Sequence, residues 1–342
     1  MKKWLLPENG SFYKANLHCH STVSDGKLSP QEIKELYMKN GYSIVAYTDH
    51  DIFLHHPELK DENFLPLNGY EIEVTEGGST PWILKKTCHL CLVALEESTK
   101  KQVCWHREKY MIGNGAAYRD QVVFDESLPD YNRSYTPECI NDIIRQGREN
   151  GFFVTLNHPI WSREEVPTLL SYEGMNAMEI YNNGCYVHGY EDYVPWLYDL
   201  MAASGKQLYC IAADDNHNGS PFGSIHCDAC GGFVMIKADK LEYRTITSAL
   251  ENGEFYASRG PLINVLWYEE GKVHIETSDA VHIHLTAPIR RGRYKAAEKG
   301  KVINSAEFEL LPEDTYFRIT VFDAEGRTAD TNMYYVKDII KE

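Results

Sequence analysis

The 342-residue chain predicts an α/β barrel followed by a small C-terminal all-β sandwich. Three observations carry this expectation. Short apolar runs that read as strands buried on both faces recur through residues 1–260, with helical stretches between several of them. These runs keep ending in His, Asp, Glu or Asn, the pattern of a barrel whose chemistry lies at the carboxyl ends of its strands. After Gly260-Pro261 the composition changes to short alternating runs separated by turn residues, as in a sandwich. The expected units are therefore 1–260 and 261–342, with a polar, aromatic and partly helical insertion at 96–135 that could act as a lid.

The first polar strand end is Asn16-Leu17-His18-Cys19-His20-Ser21-Thr22-Val23-Ser24-Asp25-Gly26. Histidines two apart on an extended strand face the same side, and Asp25 follows in a Ser-Asp-Gly turn. Imidazole with carboxylate is the donor mix that suits zinc, manganese or iron. Residues 30–40 read as a helix with Ser29 as N-cap, Pro30 in the first turn and Gly41 as terminator. Ser43 to Tyr47 is a buried strand ending in Thr48-Asp49-His50-Asp51, which completes a βαβ unit.

The same grammar continues. Phe64 to Tyr70 runs into Glu71, with Glu73 close behind. Cys88 to Leu95 carries His89 near its start. Thr136 caps a second helix that ends at Gly151, and Phe152 to Leu156 leads into Asn157-His158-Pro159. Ala177 to Tyr181 ends in asparagines, and Leu208 to Ala213 ends in Asp214-Asp215-Asn216-His217. Asp215 and His217 repeat the period-two spacing of His18 and His20.

Collected together, these motifs resemble those of the PHP (polymerase and histidinol phosphatase) superfamily, in its order and over about residues 10–260. The resemblance implies a distorted (β/α)7 barrel that holds two or three divalent ions of zinc, manganese or iron. One ion would take His18, His20, Glu71 and Asp215. A second would share Glu71 and add His89 and His158, and a third would take Asp25, His50 and His217. A water bridging the ions at Glu71 would become the attacking hydroxide. Glu73 is the alternative bridge, being on the same strand face. Asp49 and Asp214 either orient histidines from behind or lie in solvent at strand ends. The segment Asn252 to Pro261 resembles the close of the barrel in one branch, and Arg259 within it is the expected grip on a phosphate, with Arg163 behind it.

The implied activity is hydrolysis of a small phosphorylated metabolite or nucleotide by a metal-dependent phosphoesterase. The alternative is hydrolysis of a non-phosphorus ester or amide on the same site. Composition narrows the field further. Fifty acids against 34 bases give a net charge of −16, and the one basic run, Arg290 to Lys295, is short. A nuclease on long nucleic acid is thereby disfavoured. The intact ligand set argues against a catalytically idle binding module. No apolar run approaches the roughly 20 residues of a membrane helix, and the apolar stretch after Met1-Lys2-Lys3 is too short for a secretory signal, so the protein reads as cytoplasmic.

Nine cysteines in a long chain do not form a disulfide framework. The pairs Cys88/Cys91 and Cys227/Cys230 are expected to be plain thiols rather than a zinc site. His188 and His226 could line the pocket. His55, His56 and His106 are expected in exposed loops, and His274, His282 and His284 on exposed strand faces.

Overall fold

Helix α1 (Pro30–Lys39) begins where its cap predicts. In the computed structural model, which describes residues 2–340, the Ser29 hydroxyl accepts from the Glu32 amide while the Glu32 carboxylate accepts from the Ser29 amide. This reciprocal pair satisfies two donors that a first helical turn leaves free. Gly41 follows with φ of +79°, a conformation that costs a residue with a side chain far more. Thr136 caps α2 (Pro137–Glu149) from one side only, its hydroxyl accepting from the Cys139 amide.

The strands in chain order are β1 (Lys3–Trp4), β2 (Ser11–Asn16), β3 (Ile44–Tyr47), β4 (Leu65–Thr75), β5 (Thr87–Ala94), β6 (Phe152–Leu156), β7 (Ala177–Asn182), β8 (Tyr209–Ala213) and β9 (Phe233–Ala238). They continue as β10 (Phe255–Ser258), β11 (Ile263–Glu269), β12 (Lys272–Ala280), β13 (His282–Thr286), β14 (Arg293–Ala296), β15 (Ile303–Glu309), β16 (Tyr316–Phe322), β17 (Thr328–Thr331) and β18 (Tyr334–Tyr335). Beyond α1 and α2 the helices are α3 (Val166–Leu169), α4 (Asn183–Val187), α5 (Pro195–Ala203), α6 (Tyr243–Glu251) and α7 (Val336–Ile339).

A 14-stranded mixed sheet runs β14-β13-β16-β17-β10-β9-β2-β3-β4-β5-β6-β7-β8, with β18 against β16. The steps β2-β3-β4 and β6-β7-β8 are parallel, whereas β5 is antiparallel to both its neighbours and β9 is antiparallel to β2. The regular (β/α)7 barrel implied by the resemblance is therefore corrected in two respects. The connection from β4 to β5 holds only a single 3-10 turn, Trp82–Leu84, which is too short for a parallel crossover, so the chain returns antiparallel. No hydrogen-bonded pairing joins β8 to β9, and the sheet is not closed.

The sheet is nonetheless strongly curled. One buried cluster joins Ala15 on β2, Ile44 and Ala46 on β3, Leu67 on β4, Phe153 on β6, Ile211 on β8 and Val234 on β9. Strands far apart along the ladder share one core only if the ladder bends round it. Helix α6 adds Tyr243, Ile246, Ala249 and Leu250 to the same cluster. Curling brings the end of β8 to the end of β2, where the Asp215 amide donates to the His18 carbonyl at 3.0 Å.

The C-terminal strands form two layers. β1, β11, β12 and β15 make a four-stranded antiparallel sheet, which packs Ile263, Val273, Ile275 and Phe308 against Ile283, Phe317, Ile319 and Val321 of β13 and β16. The second layer is not a separate sheet, because β17 pairs with β10 and so extends the mixed sheet. Residues 96–135 contain two one-turn 3-10 helices, Gly115–Ala117 and Arg119–Gln121, and no α-helix. Among the described residues no helix is long and apolar enough to cross a membrane.

Candidate metal centre

The expected ligands converge on Glu71. This side chain is 1% exposed, at the middle of β4, and imidazole nitrogens surround its carboxylate. Oε1 lies 3.2 Å from His18 Nε2, 3.1 Å from His89 Nδ1 and 3.5 Å from His158 Nε2. Oε2 lies 3.1 Å from His50 Nδ1 and 3.4 Å from His20 Nε2. Asp215 Oδ1 is 3.2 Å from His18 Nε2 and 3.1 Å from His20 Nε2, and its Oδ2 is 3.7 Å from His158 Nε2. Asp25 lies further out, with Oδ1 3.4 Å from His217 Nε2 and 3.9 Å from His20 Nδ1, and Oδ2 3.9 Å from His50 Nε2.

Local structure sets these positions. His18 and His20 follow β2 rather than lying on it, and a bridge between Cys19 and Asn216 keeps them extended, so both still face one side. Their Nε2 atoms meet at 3.0 Å. Gly26 allows the turn behind Asp25, since a Cβ there would sit 2.4 Å from the His20 carbonyl oxygen. His158 and Asp215 adopt φ of +22° and +51°, uncommon for residues with side chains and frequent where function constrains the backbone.

The donor set fits divalent ions and does not fit hydrogen bonding. Two ligands at about 2.0–2.1 Å from one tetrahedral ion lie about 3.3 Å apart, which is the spacing found here. His20 Nδ1, His50 Nδ1, both ring nitrogens of His89 and Glu71 Oε2 are buried without a hydrogen-bond partner. Buried polar atoms left this way are costly unless another species satisfies them. Four sets of atoms are close enough to hold an ion: His18/His20/Asp215, His50/Glu71/His89, His20/Asp25/His50/His217 and His18/Glu71/Cys91. The grouping differs from the implied one in its details. His50 joins Glu71 and His89 as well as the outer group, and Cys91, one of the expected plain thiols, reaches the inner set. His158 meets the carboxylates at the longer distances given above.

Electrostatics follow from crowding charges in a buried space. Burial alone would raise Glu71, but the imidazoles of His18, His89 and His50 hold its carboxyl well below the usual range. Asp215 is likewise held down by His18 and by its hydrogen bond to His20, and Asp25 by His217, in each case against burial. His18 and His20 are raised well above the ordinary value because Asp215 and Glu71 outweigh burial. His50 is pushed down to about 3 by burial and by His20 beside it.

Sequence reading missed the residues that orient these ligands. Glu179 on β7 accepts from His18 Nδ1 at 2.7 Å, which turns Nε2 to the cluster, and its other oxygen accepts from the His158 amide at 2.9 Å. Its signal was present: a lone acid in the apolar run Ala177 to Tyr181. Asn157 donates to Glu71 Oε1 at 2.7 Å. Asp49 and Asp214, expected to orient histidines or to lie in solvent, are buried and bind loop backbone instead. Asp49 accepts from the Ser21 and Ser24 amides and hydroxyls. Asp214 accepts from Tyr37 and from the Cys230, Gly231 and Gly232 amides, while burial pushes its carboxyl up to about 6.

The cluster forms the floor of a cavity of about 880 Å³, whose remaining lining includes Glu73, Trp82, Ile112, Trp161, His188, Tyr190 and Asp228. No lysine or arginine side chain lines it among the described residues. The expected phosphate grip, Arg259, is a correction. Its guanidinium lies over the rings of Tyr181, Tyr186 and Tyr193 at 4.7–5.3 Å and donates to the Gly326 carbonyl. Strand β10 delivers it to the tyrosines around β7 instead of the cavity. Arg163 is exposed. His56 and His106, expected in solvent, are 8% and 6% exposed, because His56 packs on Tyr47 and His106 Nδ1 accepts two backbone amides. Cys227 and Cys230 join no candidate ion site among the described residues.

The arrangement defines a candidate multinuclear metal centre on a curled α/β sheet. Comparison with known proteins places similar chains beside it. No family model matches the chain. Over 38 residues, 11% of this chain and 14% of the other, it is 50% identical to the 5′-3′ exoribonuclease of Haemophilus influenzae. Similar solved structures include a two-domain protein from Bacteroides vulgatus containing a predicted PHP-like metal-dependent phosphoesterase, at 14% identity and TM-score 0.43, covering 99% of this chain and 91% of that one. Another is a candidate metal-dependent phosphoesterase from Bifidobacterium adolescentis, at 18% identity and TM-score 0.39, covering 64% and 91%. A third is an amidohydrolase from Chromobacterium violaceum, at 16% identity and TM-score 0.40, covering 60% and 88%.

Proposed function

We propose that this chain is a metal-dependent hydrolase of the PHP type, acting on a phosphate ester of a small molecule. The observation that supports the reading most is the gathering of five imidazoles around the Glu71 carboxylate, with Asp215 and Asp25 beside them. His18, His20, Asp25, His50, Glu71, His89, His158, Asp215 and His217 would hold two or three divalent ions. Such ions lower the pKa of bound water towards neutrality and offset charge on the oxygens of the group under attack. The chain supplies the rest. Glu179 fixes the His18 tautomer, Asn157 holds one Glu71 oxygen in place, and Asp49 and Asp214 stiffen the loops that carry the ligands. Preorganisation of this kind limits rearrangement during the reaction.

The second reading, cleavage of a non-phosphorus ester or amide, is favoured by one feature: among the described residues, none offers a guanidinium or ammonium to a phosphate dianion in the cavity. The two separate in an assay of the metal-reconstituted protein against phosphate monoesters, phosphodiesters, carboxyl esters and amides. Turnover of phosphate esters that a chelator abolishes and added metal restores is the expected result. Turnover confined to carboxyl esters or amides would establish the second reading, and no metal-dependent turnover on any class would overturn both.

A further inference from the structure

The cavity lining departs from what an ester of a small polar alcohol would need. Trp161 stands edge-to-face on two candidate ligands, with ring centroids 5.3 Å from His89 and 5.0 Å from His158 at interplanar angles of 72° and 82°. Trp82 meets Trp161 at 6.2 Å and 61°, so an aromatic wall runs from the ligand rings to the 60% exposed Trp82. The loop that carries Trp161 is fixed. Asp192, 1% exposed, accepts from the Ile160 and Trp161 amides at 2.9 Å each. Tyr190 adds a further ring to the lining.

We propose that the organic part of the substrate is a planar aromatic ring that packs against Trp161 and Trp82. This rests on the hydrolase reading above and names the substrate class of the same site. Aromatic rings prefer offset or edge-to-face partners at 4.5–7 Å, and an immobilised indole offers such contacts with little ordering of the protein. Size agrees, because about 880 Å³ far exceeds a phosphate with a short alcohol. Charge agrees as well. Glu73 and Asp228 line the cavity and no lysine or arginine does among the described residues, so the group beyond the ester carries no negative charge and is not a second phosphate. A ring one bond from the ester and a ring carried on a sugar share this chemistry.

The metal-reconstituted full chain tests the proposal with two substrate pairs. Benzyl phosphate against methyl phosphate compares alcohols of similar leaving ability, and adenosine 5′-phosphate against ribose 5-phosphate asks the same of a ring on a sugar. In at least one pair kcat/KM should favour the ring about threefold or more, mainly through KM, and Trp161→Leu should bring that ratio close to one. Trp82→Ala, at an exposed position, should lower the same ratio and covers the case in which Trp161→Leu does not fold. Ratios near one in both pairs for the wild type, or a ratio that neither substitution changes, would overturn the proposal. If none of the four compounds is hydrolysed, these phosphate monoesters are excluded as substrates, and the phosphoester reading is decided by the assay of the other classes described above. The ring claim is then decided by calorimetry on the same pairs: tighter binding of a ring-bearing member supports it, and equal or absent binding overturns it.

Discussion

Glu179 shows how one side chain behind the ligands governs the cluster. It is 1% exposed and touches both His18 and the His158 amide, so it orients one candidate ligand just after β2 and another after β6. Replacing it by glutamine keeps the size but weakens the acceptor for His18 Nδ1. We expect Glu179→Gln to lower metal affinity about 10- to 100-fold in a chelator-competition titration while the protein stays folded. Unchanged affinity would remove Glu179 from this role. Glu164 gives a pH prediction at a residue outside the ligand set. Burial pushes its carboxyl up from 4.5 to about 7, although Tyr172 and Tyr135 donate to it. The folded state then binds a proton that the unfolded chain has released, and this contribution to stability is present below pH 4.5 and lost as the pH rises to about 7. Urea denaturation at pH 5 and pH 7.5 should show a smaller loss in Glu164→Gln than in the wild type; equal losses would contradict it.

Among the elements, the insertion at 96–135 is braced against the centre and not merely draped near it. The Asn114 amide donates to the Ser24 carbonyl at 2.7 Å, beside Asp25, and Gly113 sits where a Cβ would lie 2.2 Å from that same oxygen. At its far end Arg133 pairs with Asp51, which follows His50, and also donates to the Glu73 carbonyl at 3.0 Å. Both partners of that pair are buried, so Arg133→Met leaves an uncompensated carboxylate. The expected cost is about 3–5 kcal/mol in denaturant unfolding, with faster proteolysis inside 96–135. A stability within about 0.5 kcal/mol of wild type would show that the insertion is held by other contacts. The sequence revealed this segment as an interruption, yet not its anchoring, because nothing local marks Arg133 as the partner of a residue 82 positions away.

For the whole molecule, what was legible follows the range of the interaction. The helices at 30–39 and 137–149 were legible because caps and terminators act within four residues. The residues that gather round Glu71 were legible as a set because His, Asp and Glu recur at the ends of successive apolar runs, although Asp49 and Asp214, which share that position, hold loop backbone instead. The reversal at β5, the open edge between β8 and β9 and the pairing of β1 with β11 were not, since each depends on partners distant in the chain. Arg259 failed for the same reason: its position near the end of β10 was clear, but the tyrosines that receive it were invisible until the sheet curled.

The central claim is that Glu71 joins ions in one multinuclear centre. The most direct measurement is the metal content per chain by mass spectrometry, after reconstitution and removal of loose ions, for wild type and Glu71→Gln. The account predicts two or three divalent ions in the wild type and the loss of at least one in Glu71→Gln, with a smaller loss in His217→Ala, which lies at the outer edge of the cluster. Fewer than two ions in the wild type, or equal content in wild type and Glu71→Gln, would contradict it.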